Sequence, residues 1–240
     1  MLHIGILAHS ADGSALCCLE MVREAGRRLG AHEHPEITMS ILPMGPTLPW
    51  WDALELDQIN AHLRATARRL AGAGCDFFVC PDNTAHIALD AARELLPLPG
   101  LHICDVVAER AKADGRKRIA LLGTRYTMQG PAYPAAFARH GLEMRVPRAA
   151  DQELLNGFIF DELCQGEITE IARAEFLRVI EELKGEGCDA VALSCTEIPL
   201  IVTPENSPLP TLDSTRLLAH AAVDVALNAR PLPSWRGGSR

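Results

Sequence analysis

The 240-residue chain has no excess of basic residues, no Cys-x-x-Cys pair, and no apolar stretch near the ~20 residues that a membrane-spanning helix needs. Each absence closes a class of function. With 23 Lys+Arg against 31 Asp+Glu, the formal net charge is -8. That is the wrong sign for a nucleic-acid surface or for docking on anionic lipid. The eight cysteines, at 17, 18, 75, 80, 104, 164, 188 and 195, show no zinc-ligand rhythm, so no metal site is expected. Several lie inside apolar runs, where a thiol acts as a small hydrophobe, and a reducing cytoplasm is the natural compartment. Met1-Leu2-His3-Ile4-Gly5-Ile6-Leu7 lacks the basic n-region of a signal peptide and runs straight into a strand pattern. What remains is ordinary globular material: 48% hydrophobic and 22% charged residues, enough for a sizeable core, and length for two domains of about 110 residues each.

The chain is organised around one stretch and its echo. Gly74-Cys75-Asp76-Phe77-Phe78-Val79-Cys80-Pro81-Asp82-Asn83-Thr84 aligns with Gly187-Cys188-Asp189-Ala190-Val191-Ala192-Leu193-Ser194-Cys195-Thr196-Glu197. Gly falls on Gly, Cys on Cys, Asp on Asp, and an apolar run on an apolar run; after the run, Asp82 falls on Cys195 and Asn83 on Thr196. Each copy has the form of a buried parallel strand. Polar side chains then emerge past the carboxyl ends of two equivalent strands, where open α/β sheets hold their ligands.

In order, residues 3–8 form an apolar strand, closed by a turn through His9 and Ser10 in which Ser14 is placed to cap a helix running to Leu29. A loop through His32 and His34 leads to a strand over 37–42 and then to the Pro- and Trp-rich stretch 43–51. An amphipathic helix over 56–73 follows, with Leu56, Ile59, Leu63, Ala67 and Leu70 on one face. After the motif come a helix over 84–96, Pro97-Leu98-Pro99, a short strand 101–104 and a helix 105–114. The second half repeats this order: strand 118–123, helix 130–140, strand 142–146, helices 151–164 and 169–186, the second motif, Pro208-Leu209-Pro210 and helix 214–228.

Ile4 recurs as Ile119, 115 positions on; Gly74 recurs as Gly187, 113 on; Pro97 recurs as Pro208, 111 on. So small a drift indicates an ancient duplication. The expected fold is α/β, with two pseudo-symmetric three-layer lobes, residues 1–115 and 116–228, mostly parallel sheets and an active-site cleft between lobes. Helix 214–228 has the option of packing back on the first lobe, and residues 229–240 have the composition of a flexible tail.

Facing lobes would bring Asp82 and Cys195 to one cleft from opposite sides. Two acid/base groups flanking a carbon are what stereo-inversion at that carbon requires. A free thiol is mostly protonated at neutral pH and a free Asp is a weak base, so the cleft is expected to lower the first through N–H dipoles and raise the second by desolvation. Asn83, Thr84 and Thr196 can hold a substrate carboxylate. Thr124 and Thr127, which occupy in the second half the place of the Ser10 turn in the first, can add donors. Asp82 has a second role open to it, capping the following helix. His86 is expected to be a structural hydrogen-bonding residue, His9 is open between structure and site, and His32 and His34 are solvated loop residues. Trp50 and Trp51 are open between packing and a pocket wall.

Pro81-Asp82-Asn83-Thr84-Ala85-His86, with Ser194-Cys195-Thr196-Glu197, resembles the aspartate/glutamate racemase family, within the Asp/Glu/hydantoin racemase superfamily, over roughly residues 3–228. The resemblance implies a cofactor-independent, PLP-independent amino-acid racemase, in which Cys195 is one catalytic thiol and Asn83, Thr84 and Thr196 contact substrate. Glu197 stands where relatives place Glu or His, and dimers among relatives imply a homodimer. Two features depart from the family pattern. Asp82 replaces the first cysteine, and Cys80, two residues early on an extended strand, belongs to the core. Residues 29–63 contain no Lys or Arg, where members that take acidic substrates carry an Arg; a neutral or hydrophobic amino acid, or a related carbonyl compound, is favoured over aspartate. Two other readings stay open. One is a one-sided decarboxylase or isomerase that protonates from Cys195; the other is a catalytically silent small-molecule binding or regulatory protein on the same scaffold.

Overall fold

The computed structural model describes residues 1–238. The chain forms two compact units: Met1–Ile103 joined by the chain from Thr215 onward, and Cys104–Ser214. The first unit contains β1 (Ile4–Ala8), α1 (Ala11–Leu29), β2 (Ile37–Ile41), α2 (Leu48–Asp52), α3 (Leu56–Gly72), β3 (Phe77–Val79), α4 (Ala85–Asp90) and β4 (Gly100–Leu101). The second contains α5 (Ile103–Ala113), β5 (Arg118–Gly123), α6 (Arg125–Gln129), α7 (Ala132–His140), β6 (Glu143–Arg145), α8 (Ala149–Asp161), α9 (Glu170–Gly185), β7 (Ala190–Ser194) and β8 (Thr211–Asp213). The closing helix, α10 (Ser214–Ala226), belongs almost wholly to the first unit.

Each unit is built on a four-stranded parallel sheet, ordered β2-β1-β3-β4 in the first and β6-β5-β7-β8 in the second. The identical order bears out the repeat seen in the sequence. β1, β3 and β7 are buried throughout, which suits uninterrupted apolar runs covered on both faces. In the first unit, α3 sets Ile59, Leu63, Ala67 and Leu70 at helical spacing against Leu7 and Phe78 of the sheet. In the second, Phe176, Val179, Ile180 and Leu183 of α9 do the same against Leu122, Val191 and Leu193.

The repeated Gly-Cys-Asp has a structural explanation. Gly74 and Gly187 both adopt left-handed backbone, with φ of 83° and 90°, which disfavours any residue with a Cβ. The turn they make delivers Cys75 and Cys188 into the core and aims the next carboxylate at the start of the neighbouring strand. Asp76 Oδ2 accepts from His3 N–H at 2.7 Å; Asp189 accepts from Lys117 and Arg118 N–H at 2.8 and 3.2 Å. These bonds set the register in which β1 meets β3 and β5 meets β7.

Several elements differ from expectation. α1 starts at Ala11, so Ser14 lies inside it, bonding back to Ser10 O, and does not cap it. The stretch 43–51 is mostly short helix. The helix expected over 84–96 ends at Asp90, because the C-terminal segment takes over its backbone bonds: Leu96 N–H goes to Arg236 O, and Gly238 N–H goes to Leu89 O. The strand expected over 101–104 is confined to Gly100–Leu101, since α5 begins at Ile103. The helix expected over 130–140 is present as α7, and an additional short helix, α6, precedes it, with Gly130 and Pro131 between them.

The unit boundaries also move from 115/116 to 103/104 and 214/215. The helix after the last strand of each sheet joins the other unit's list of elements, where its ion pairs lie. Asp105 of α5 pairs with Arg139 at 2.7 Å, while Asp224 and His220 of α10 face Arg28 and Glu24 of α1. The segment expected to be a loose tail is held: Trp235 is buried, and its carbonyl accepts from Gly100 N–H at 2.7 Å. Expected tail residues 239–240 lie outside the described residues.

Candidate active site

Parallel pairing carries the strand register past the strand ends. β1 and β3 pair Ile6 with Val79; continuing three residues places His9 beside Asp82, and His9 Nδ1 lies 2.8 Å from Asp82 Oδ2. β5 and β7 pair Gly123 with Ser194, so the next pair on is Thr124 with Cys195. His9 and Thr124 are therefore equivalent, as are Asp82 and Cys195.

In the first unit, Trp51, buried in the short helix α2, donates its Nε1–H to His9 Nε2 at 3.3 Å. That donor leaves the His9 proton on Nδ1, from which it is donated to Asp82. The other carboxylate oxygen, Oδ1, accepts from Ala85 N–H at 3.1 Å. Asp82 thus meets the first turn of α4, and the capping contact weighed from the sequence is present. Burial alone pushes the Asp82 carboxyl up, but the facing His9 and these hydrogen bonds outweigh it and hold the group below the ordinary carboxylate range. Hydrogen bonds to a charged acceptor contribute about 1.5–3 kcal/mol each, which is enough to reverse a desolvation effect in a side chain still 14% exposed. Asp82 is an ionised carboxylate, contrary to the expectation that desolvation would raise it.

In the second unit the sign is opposite. Cys195 is partly exposed beyond β7, and its thiol donates to Glu197 Oε2 at 2.9 Å. Burial pushes the thiol well up, and Glu197 pushes it further. Ionising the sulfur would set two anions at that separation, a repulsion on the order of 5 kcal/mol at an effective dielectric near 20. Cys195 is a thiol, again the reverse of the expected lowering.

The remaining sequence candidates divide between the same two places. Asn83 is buried and Thr84 half-buried directly after Asp82. Ser10 sits at the N-cap position of α1 without a side-chain capping bond. Thr124 caps α6, accepting from Thr127 N–H at 3.3 Å, with the two hydroxyls 3.2 Å apart. Gly123 makes this fit possible, since a Cβ there would lie 3.0 Å from both Ser194 O and Thr127 Cγ2. Thr196 lies between Cys195 and Glu197 in the bend after β7. Cys80 is fully buried in the core of the first unit, as its strand position implied.

His86 is structural: buried, with Nδ1–H to Asp82 O at 2.9 Å and Nε2 accepting from Ile103 N–H at 3.3 Å. His32 and His34 are exposed. The part of Trp51 and His9 in holding Asp82 was missed as a network. The signal was present, because His9 and Asp82 are separated by the same interval as Ile6 and Val79. Among the described residues no group of three His, Cys, Asp or Glu is placed to hold a metal ion, and no helix is long and apolar enough to cross a membrane.

The family model described as Asp/Glu/hydantoin racemase matches residues 6–222. The chain is 25% identical over 226 residues to the broad specificity amino-acid racemase RacX of Bacillus subtilis (strain 168), spanning 93% of this chain and 98% of that protein. Among solved structures, it is similar to a candidate Asp/Glu racemase from Yersinia pestis, with a TM-score of 0.86, 31% identity and coverage of 95% of this chain and 100% of that one. It is likewise similar to an aspartate racemase homologue from Pyrococcus horikoshii OT3, with a TM-score of 0.79, 26% identity and the same coverage.

Proposed function

The chain belongs to the Asp/Glu/hydantoin racemase family, and from that premise we propose that it is a cofactor-independent amino-acid racemase whose proton carriers are Asp82 and Cys195. One observation carries the reading: equivalent positions past β3 and β7 hold a carboxylate kept ionised and a thiol kept protonated. A base and an acid are thus ready at the same time. Asp82 takes the α-proton, so that a C–H bond breaks and an O–H bond forms. Cys195 delivers its proton to the opposite face, so that S–H breaks and C–H forms, leaving a carboxylic acid and a thiolate. The reverse turnover, or exchange with water, restores the starting state. General acid–base transfers of this kind typically contribute 10²–10⁴-fold each.

In this reading His9 holds the Asp82 carboxylate, and Glu197 is the neighbour able to relay a solvent proton back to the Cys195 thiolate during resetting. Ser10, Asn83, Thr84, Thr124, Thr127 and Thr196 supply hydroxyl and amide contacts to substrate, with Glu197 available to an ammonium group. The substrate is a neutral or hydrophobic amino acid: residues 29–63 offer no cation to a second carboxylate, and the ionised Asp82 repels one. We place the enzyme in the cytoplasm, as a homodimer.

One observation favours a second reading. A carboxylate held below its usual range is a weak base, which suits a one-sided decarboxylase or isomerase protonating from Cys195 alone. Incubating L- and D-alanine, leucine, methionine, phenylalanine and aspartate in deuterated water separates the two. Racemisation gives α-deuteration with loss of optical rotation. A one-sided site gives deuterated product of retained handedness, and a binding protein gives neither. Full turnover by Cys195→Ala would overturn both enzymatic readings.

A further inference from the structure

The buried aromatic cluster around Trp235 has no part in the chemistry above. It joins the end of the chain to the loop that carries Asp82. The Trp235 ring stacks on His86, with centroids 5.8 Å apart and planes at 13°. Its other sides meet His102 at 4.8 Å and Phe78 at 5.9 Å. Backbone bonds fasten the segment: Gly100 N–H to Trp235 O and Leu96 N–H to Arg236 O, both at 2.7 Å. The Arg236 guanidinium adds a bond to Pro97 O at 2.7 Å.

His86 is the middle of the bridge. It donates Nδ1–H to the carbonyl of Asp82 itself, and its Nε2 accepts from Ile103 N–H, the first N–H of α5. Only a neutral imidazole can do both, because a proton on Nε2 would face another donor. The titratable groups facing His86 are His102 from the β4–α5 junction, Asp90 from α4 itself and Asp82 from the loop. His102 is itself held by Asp90 at 3.2 Å. Trp235 adds no charge and excludes water.

We propose that Trp235 is a positioning residue: by covering His86 it keeps that imidazole dry and bridging, and so fixes the Asp82 loop from the opposite end of the chain. The proposal rests on Asp82 belonging to the active site. Its geometry agrees with the electrostatics, since burial holds His86 at a pKa of about 3.

The test compares Trp235→Ala, Trp235→Phe, His86→Asn and the double variant His86→Asn/Trp235→Ala. Activity is followed as kcat/KM against pH, and the ¹⁵N-labelled His86 ring is titrated by NMR. In Trp235→Ala, hydrated His86 is expected to titrate near its ordinary ~6.5, making kcat/KM relative to wild type about 10-fold lower at pH 5.5 than at pH 7.5. Trp235→Phe, which keeps a ring, should retain the wild-type profile. Asn can donate to the same carbonyl without titrating, so in the His86→Asn background the Trp235→Ala effect on the acid limb should vanish.

An unchanged His86 titration in Trp235→Ala overturns the proposal, as does an acid-limb effect that persists with Asn at position 86. If Trp235→Ala does not fold, a Trp235→Phe profile shifted like that of a ringless variant has the same force. The NMR arm needs no turnover, so failure of the racemase reading remains distinguishable from failure of this one.

Discussion

The two units share a sheet order, a Gly-Cys-Asp entry to the third strand and a reactive position just beyond it, yet hold that position in opposite protonation states. The difference begins with the residue types, an Asp and a Cys, and one neighbour in each unit reinforces it. His9 presents an N–H to Asp82 and keeps it ionised; Glu197 presents a carboxylate to Cys195 and keeps it protonated. A duplicated scaffold therefore places Asp82 and Cys195 at equivalent strand ends, and under the proposed reading their residue types and neighbours make one the base and the other the acid. Asymmetry arises without any change of backbone topology.

The largest test of this comparison removes each carrier in turn. Cys195→Ala and Asp82→Asn are both expected to lower racemisation by ~10³-fold or more, measured by polarimetry. A loss confined to Cys195→Ala would break the pairing and favour the one-sided reading.

Removing a neighbour should cost less. His9→Ala leaves burial of Asp82 less opposed, so its pKa rises. If Asp82 is the base, it must be ionised to act, so the acid limb of kcat/KM should move upward, with a larger loss at acid pH than near pH 8. In the second unit, Glu197→Gln removes the anion that raises Cys195. Its thiol pKa should fall, and alkylation by iodoacetamide at pH 8 should quicken several-fold, followed by mass spectrometry at Cys195.

The remaining effect is on stability. His86 is held near 3, below its unfolded value, so the unfolded state binds more protons between pH ~6.5 and ~3, and stability falls as pH drops through that window. Asp82, also lowered, adds a loss below its unfolded value of about 3.8–3.9. In total this is a few kcal/mol at most, read as a falling denaturation midpoint. His86→Asn should flatten the upper part of the window and leave the lower part.

Much of the fold was legible because it rests on pattern. Buried parallel strands appear as unbroken apolar runs, α3 and α9 as spaced apolar faces, and the repeat as a slowly drifting offset. What escaped were features decided by tertiary partners. α4 stops early although Ala91–Leu96 has good helix formers, because Arg236 and Gly238 claim the backbone groups it would have used. Trp235 lies in a stretch whose composition suggested disorder, and only its burial against His86 shows otherwise. At the candidate site, spacing put Asp82 and Cys195 at equivalent strand ends, but the direction in which each pKa moves follows from burial together with His9 or Glu197. Free-solution reasoning about clefts assigned both shifts with the wrong sign.

The separation of the first unit's sequence into two pieces has a consequence for synthesis. Residues 104–214 are continuous, whereas the first unit includes α10 and the Trp235 segment. A nascent chain therefore exposes β1–β4 long before the helix and indole that finish covering them have emerged from the ribosome. The middle of the polypeptide is the part able to mature during translation, and the loop bearing the carboxylate is completed only when the segment around Trp235 arrives.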